Sequence, residues 1–593
     1  MINQKSIAVL PFENLSSNKE NEYLADGITE EIINALSKVD GLKVTARASS
    51  FRYRDKKPDV RIIGNELAVN TVLDGSLRRV GNRVRISAQL IRTDNGFHIW
   101  SENFDREIDD IFLLQDEISI LIAEKIRENY GHLEIAKHLA GAPTENIEAY
   151  ELYLKGRFNH LKWDWEGLQN GIKYYEESIA KDPGFALPLF GLAFCYSMIG
   201  SWGKRPELFD LAQDYITTGF AIDKESDLGH FAKATLEFWG RWNFIEGEKS
   251  YRKAIALNHT NSEAMEGLAE LYIAIGYFDL AEELTAQALK TNPLSANHLF
   301  TMGNIHYEQG EIEKGLSYFN SSLRIDPNFA HSISYKSLCL IGLKSFDKLK
   351  LHVDAYPEQE DRQQCILLGK LQEGGNGELK EETNRLAAIT EDVGLVGWRL
   401  YLLAQNGEKE EALNLLEAVI GRKEGQYINF THLPLLEPIR SMQRFQQLAA
   451  ATFAQSKLPV KAGITVDKSQ SKKALLEQSE IEAVDEQLKV LMSEDKIYLN
   501  PTLSLRELAE AIELNANRLS WFLNDRLGKN FSEFINEKRV SEFKERAVTN
   551  DWSHLSILGL AYECGFNSKS VFNDYFKKSM GQTPSQWVKA NKN

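Results

Sequence analysis

Cysteine is scarce in this chain, with 4 among 593 residues. Cys195, Cys339, Cys365 and Cys564 lie far apart and show no CxxC or Cys/His spacing, which excludes a disulfide framework and a zinc site. They read as buried thiols in a reducing compartment. There is no apolar run of the about 18 residues that a bilayer crossing needs, and Met1 to Leu10 lacks the basic segment and apolar core of an export signal. A cytoplasmic location without a membrane partner is therefore expected. A phosphate-binding glycine loop, a metal-ligand cluster and a nucleophile–base arrangement are also missing. The chain accordingly reads as a non-enzyme with no catalytic residue, cofactor or metal. Positive charge is in deficit too, and a net charge of −16 argues against a protein that coats nucleic acid along its whole length. The deficit is uneven: positions 497 to 593 hold 13 Lys/Arg against 11 Asp/Glu, a balance of +2, which leaves −18 for the remainder.

What is present points to several folded units. A chain of 593 residues exceeds one hydrophobic core, and 43% hydrophobic with 26% charged residues is an ordinary globular composition. The expected fold class is multidomain α+β: a mixed α/β domain over residues 1–131, an all-α superhelix over 145–454, a linker over 455–475 and an all-α domain over 476–593. The linker is expected from its Ser, Gly, Pro and Lys content and weak apolar periodicity.

In the first unit, strands are predicted at Ser6 to Leu10, Leu42 to Thr45, Thr71 to Val80, Arg83 to Ile91 and Phe97 to Phe104. Helices are predicted at Ile28 to Leu36, Val60 to Leu67 and Ile111 to Ile126. Gly81-Asn82 suits a tight hairpin. Asp26, Asp74, Asp105 and Asp109 could be imagined as acid/base or metal groups. Asp26 and Asp74 precede glycines and read as turn or cap residues. The strings "SIAVLPFENLS", "YLADGITEEIINAL", "LDGSLRRVGNRVRISAQLI" and "HIWSENFDRE" resemble the amino-terminal domain of TolB-like proteins over residues 6 to 128.

In the second unit, Ala254, Ala288 and Ser322 are spaced by 34, as are His259, Pro293 and Pro327, and as are Gly276 and Gly310. A 34-residue period with small residues at helix crossings resembles tetratricopeptide repeats. "AMEGLAELYIAIGYFDLAEELTAQALKTNP" is the best copy, and seven or eight helical hairpins are expected. Such repeats stack into a superhelix with a concave surface free to bind. Trp163, Trp165, Trp202, Trp239 and Trp242 read mainly as core, with stacking on a sugar, nucleobase or peptide side chain as the alternative.

In the last unit, Ser504-Leu-Arg-Glu507 is a capping box that starts a helix with Leu505, Leu508, Ala509 and Ile512 inward. A turn over Glu513 to Asn515 leads to a second helix with Leu519, Phe522, Leu523 and Leu527 inward. Asn517, Ser520, Trp521 and Asn524 share its outer side. The arrangement returns 52 residues later, with Ala561 in place of Ala509 and Gly565 at the turn. Two such units joined by a helix over Ser532 to Arg546, together with "LAYECGFNSKSVFNDYFKKSMGQTPSQW", resemble the DNA-binding domain of the AraC/XylS family of transcription regulators over about residues 478 to 590. The resemblance implies base-reading roles for Asn517, Ser520, Trp521, Lys569, Ser570, Asn573 and Asp574. Their donors and acceptors suit base edges in a major groove. Lys529, Arg539, Lys577 and Lys578 are expected on phosphates. The sequence departs from that family at Glu513, where glycine is usual, and at Trp587-Val588-Lys589, where an aromatic–arginine pair is usual.

The function expected is a bacterial, sequence-specific regulator whose partner is double-stranded promoter DNA. Its first two units would sense a small-molecule or protein effector, with a homodimer as one arrangement. The alternative is a repeat-based interaction scaffold localised to DNA, followed by an enzyme activity in the first unit. The acidic body is expected to hinder the reader by charge repulsion, unless dimerisation through the repeats adds avidity instead.

Overall fold

This computed structural model describes residues 5–17, 21–55, 58–162, 165–374, 377–390, 396–454, 475–549, 552 and 554–591. The expected linker falls outside them except for its last residue.

Alternating apolar residues near the amino terminus form one sheet. Its strands are β1 (Ser6–Val9), β2 (Glu13–Asn14), β3 (Lys43–Val44), β4 (Thr71–Val80), β5 (Arg83–Arg92) and β6 (His98–Glu107). The order is β3-β1-β4-β5-β6, with β1 parallel to both β3 and β4, and β2 pairing with β4. The hairpin closes on Gly81-Asn82, bringing Val80 opposite Arg83 and Thr71 opposite Arg92. The helices of this unit are α1 (Glu22–Ser37), α2 (Arg47–Ser50), α3 (Val60–Leu67) and α4 (Ile111–Tyr130). Helix α1 starts earlier than its periodicity predicts. Asp26 consequently sits inside the helix and accepts a hydrogen bond from Arg54, with Arg47 nearby. Asp74 accepts from Gln89 within the sheet, so Asp26 and Asp74 stand in mid-element rather than capping turns, and Asp105 pairs with the exposed Arg83 and Arg85.

The 34-residue period unfolds into eight helical hairpins among the described residues. They are α5 (Ile147–His160) with α6 (Trp165–Lys181), α7 (Ala186–Trp202) with α8 (Leu208–Ile222), α9 (Asp227–Thr235) with α10 (Phe244–Leu257), and α11 (Ser262–Ala274) with α12 (Phe278–Thr291). Then follow α13 (Ala296–Glu308) with α14 (Ile312–Ile325), α15 (Ala330–Gly342) with α16 (Phe346–Ala355), α17 (Arg362–Gly374) with α18 (Gly377–Ile389), and α19 (Trp398–Asn406) with α20 (Lys409–Gly421). Short turns lead to α21 (Glu437–Arg440) and α22 (Gln443–Thr452).

The concave surface is not left free, because its own chain fills part of it. Lys423 reaches the Arg241 carbonyl at 2.7 Å, Asn429 donates to buried Glu308 at 2.7 Å, and His432 meets Phe278 edge-on. The first unit covers another part: the Ala46 N–H donates to the Thr291 carbonyl at 2.8 Å, the Leu294 N–H to Ser49, and Arg157 bridges Glu30 and Glu263. One continuous apolar core runs from Ile7 to Phe445, so sheet and repeats form a single body.

Residues 475–591 hold two cores of their own, one around Leu508, Leu519 and Phe522 and the other around Phe543, Phe572 and Phe576. Their helices are α23 (Gln478–Ser493), α24 (Leu505–Ala511), α25 (Ala516–Asp525), α26 (Phe531–Ala547), α27 (Ile557–Glu563), α28 (Lys569–Met580) and α29 (Pro584–Asn591).

Candidate nucleic-acid interface

Each helix-turn-helix is built by side-chain caps. Ser504 and Glu507 close the capping box on α24, and the Asn515 side chain accepts from the Asn517 and Arg518 N–H groups to start α25. Ser556 caps α27 and Ser568 caps α28 in the second unit. Satisfying the orphan N–H groups at these four starts stabilises each by about 0.5–2 kcal/mol.

The two turns use the same left-handed backbone with different residues. Gly565 has φ +93°, and its counterpart Glu513 has φ +53°. An L residue in that region costs roughly 1–2 kcal/mol. Glu513→Gly is therefore expected to stabilise the domain by about 0.5–1 kcal/mol, measured by denaturant unfolding of residues 475–593. Loss of stability would show that the Glu513 side chain offsets the strain.

The second recognition helix is open. Lys569, Asp574, Lys577 and Lys578 are exposed, Ser570 and Asn573 are half-buried, and only Phe572 and Phe576 turn fully inward. Lys578 also pairs with Glu533 at 3.1 Å.

The first differs from the sequence expectation. Leu519, Ser520, Trp521, Phe522 and Leu523 are five consecutive buried residues. At about 3.6 residues per turn such a run goes right round a helix, so α25 is covered on every side. Trp521 belongs to the domain's own core, under the Arg526 guanidinium at 5.7 Å, and Ser520 is 2% exposed. Of the outer set read from the sequence, Ser520 and Trp521 are buried, while Asn517 and Asn524 are half-buried. Asn517 is held by Arg127 and by both backbone groups of Ile135, from which it accepts at 3.3 Å and to which it donates at 3.2 Å.

Among the expected phosphate contacts, Lys529 is paired with Glu537. Arg539 is 8% exposed and donates to the carbonyls of Tyr498 at 2.8 Å and Asn500 at 2.7 Å. Burial lowers its pKa to about 10. Its fork is spent joining the two halves. The sequence signal for this was Arg539 lying on the inward side of the connecting helix.

A second feature, missed by sequence reasoning, is a cavity of about 1040 Å³ between α1–α2 and the concave side of the repeats. Trp165, Trp202 and Trp239 line it, whereas Trp242 is in the core and Trp163 lies outside the described residues. Glu30, Glu31, Glu266 and Glu270 add carboxyls to its wall. Burial opposes the charge on Glu30, but Arg157 and Arg47 outweigh it and hold its carboxyl below the usual range. Burial and then Glu30 push Glu31 up to about 7, and burial with Glu266 nearby raises Glu270 well above the ordinary value. No group of three or more His, Cys, Asp or Glu side chains among the described residues could hold a metal ion, and no described helix is long and apolar enough to cross a membrane.

Comparison with known families matches residues 508–590 to a helix-turn-helix domain and residues 299–329 to a tetratricopeptide repeat. Residues 3–121 match the second domain of HilA/YgeH-like transcriptional regulators. A protein of Rhizobium meliloti (strain 1021) that carries the name adenylate cyclase 3 is 38% identical over 40% of this chain and 40% of its own length. The transcriptional regulator HilA of Salmonella typhimurium is 21% identical over 55% of this chain and 51% of its own. The chain thus spans about half or less of these relatives. A thermophilic tetratricopeptide-repeat protein of Thermus thermophilus covers 32% of the chain at 14% identity, matched over 99% of its own length with a TM-score of 0.29. The chain therefore joins a HilA-like amino-terminal segment and a tetratricopeptide repeat to an AraC-type helix-turn-helix domain at its carboxyl end.

Proposed function

We propose that this chain is a cytoplasmic, sequence-specific regulator that reads promoter DNA with α25 and α28 and receives its signal through the body. The observation that carries the reading is the pair of capped helix-turn-helix units, the second of which presents Lys569, Asn573 and Asp574 outward. Asn517, Ser520 and Trp521 remain base-reading candidates only in a state where α25 is uncovered, and Trp521 further requires a shift out of its core.

The cavity supports the sensing half. Its size fits a small ligand, and aromatic rings beside carboxyls suit a molecule with an apolar body and a hydrogen-bond-donating or cationic end. The self-filled concave groove leaves less room for a docked peptide, which weighs against a pure scaffold.

Residues 475–593 should enrich a defined motif from a random duplex library, and affinity for it should fall steeply with salt. Within that motif Lys569→Ala should cost about 1–3 kcal/mol at one base pair, while Lys578→Ala should weaken every sequence alike. Enrichment of no motif sinks direct readout. Uniform loss from both variants reduces Lys569 to a phosphate contact.

A further inference from the structure

The first recognition helix is covered by a particular surface of the body, the carboxyl-terminal turns of α4 and the residues that follow. Arg127 and Ile135 hold Asn517 at the start of α25. Asn530 donates to the Asn129 carbonyl at 2.9 Å, and the Ser532 hydroxyl donates to the Asn129 side chain at 3.1 Å. Gly131 ends α4 with φ +108°, and a Cβ there would stand 2.7 Å from the Asn524 side-chain oxygen, so the reading face is pressed against backbone. Two carboxylates complete the contact. Glu128 accepts from the Leu505 N–H at the start of α24 at 3.1 Å, and Glu124 pairs with Arg506 at 2.7 Å.

A backbone N–H at a helix start and an arginine are the groups with which such domains hold phosphates. Here both are satisfied by acids of the same chain. The body also reaches toward the second unit, since Arg92 of β5 lies within electrostatic range of Asp574.

Resting on the DNA-binding reading above, we infer that α4 is a built-in competitor for DNA: it seats the first recognition helix and places Glu124 and Glu128 where duplex phosphates would otherwise bind. In this closed state a double reader cannot lay both helices into adjacent major-groove segments, because the body occupies the side from which the duplex must approach. DNA binding then draws only on the fraction of molecules in which the contact has opened, and apparent affinity scales with that fraction. Helix α1, which carries Glu30 and Glu31 into the cavity, packs on α4, so the cavity and the competitor share one helix layer.

The test locks the contact in the full-length chain. Asn129→Cys with Ser532→Cys places two thiols across it, and the four native cysteines are all buried. Oxidation should form the cross-link, and affinity for a duplex enriched on the reduced protein should fall by about tenfold or more, returning on reduction. In a second variant, Glu124→Lys on the body, which leaves Arg506 of the reader intact, should raise affinity. Failure of the cross-link to form, or a cross-linked protein that binds as well as the reduced one, overturns the inference. If neither the reduced protein nor residues 475–593 prefers any duplex, the DNA-binding reading itself falls.

Discussion

Removing residues 1–454 should raise the affinity of the remaining chain for its preferred duplex by about 10- to 100-fold, the gain expected if a tenth to a hundredth of full-length molecules are open. The fragment keeps both cores of the reader, so it should fold. The salt dependence of the gain separates two causes. Repulsion between an acidic body and DNA is screened beyond about 8 Å at physiological ionic strength, and a gain of that origin shrinks as salt rises. The contact at α4 rests on hydrogen bonds to Asn517, Asn530 and Leu505 with one partly exposed ion pair, Arg506–Glu124, so most of the gain should persist. Affinities of full-length and truncated protein from low to high salt, on single and on paired sites, provide the measurement. A truncation that weakens binding on paired sites alone supports dimerisation through the repeats and removes occlusion as the dominant effect.

Gly565→Ala should cost about 2–4 kcal/mol and break cooperation between the two helix-turn-helix units. The added Cβ would stand 2.4 Å from the Tyr498 carbonyl oxygen and 2.9 Å from the Leu499 Cα, both backbone atoms that cannot swing aside, and φ is +93°. The same carbonyl accepts from Arg539, and Tyr498 and Lys496 both bond Glu542, so this turn is where the two halves meet. Unfolding of residues 475–593 by denaturant gives the stability change. Affinity on duplexes carrying one or both contacted segments gives the loss of coupling. An alanine variant within about 0.5 kcal/mol of the parent, still reading both segments together, would mean that the joint relaxes freely.

Local pattern was sufficient wherever a short-range rule decides the outcome. Helix α3, strand β4 and the turn at Gly81-Asn82 follow from alternation and turn chemistry at the boundaries read from the chain. The 34-residue period yields the helical hairpins, and the cap residues Ser504 and Asn515 set the starts of α24 and α25. The outer face of α28 was legible because α28 is packed on one side only.

The sequence by itself therefore determined the three kinds of unit, their order and the paired helix-turn-helix units, because caps, glycines and apolar spacing act within a few residues. Only the tertiary structure decided which surfaces are occupied. Asn517 and Arg127 are 390 positions apart, and Glu308 and Asn429 are 121 apart. A side chain polar enough for a DNA groove is equally suited to a buried hydrogen bond with another domain, and periodicity cannot tell the two apart. Arg539 shows the same ambiguity: its charge suggested a phosphate, while packing turned its fork onto two carbonyls and away from solvent.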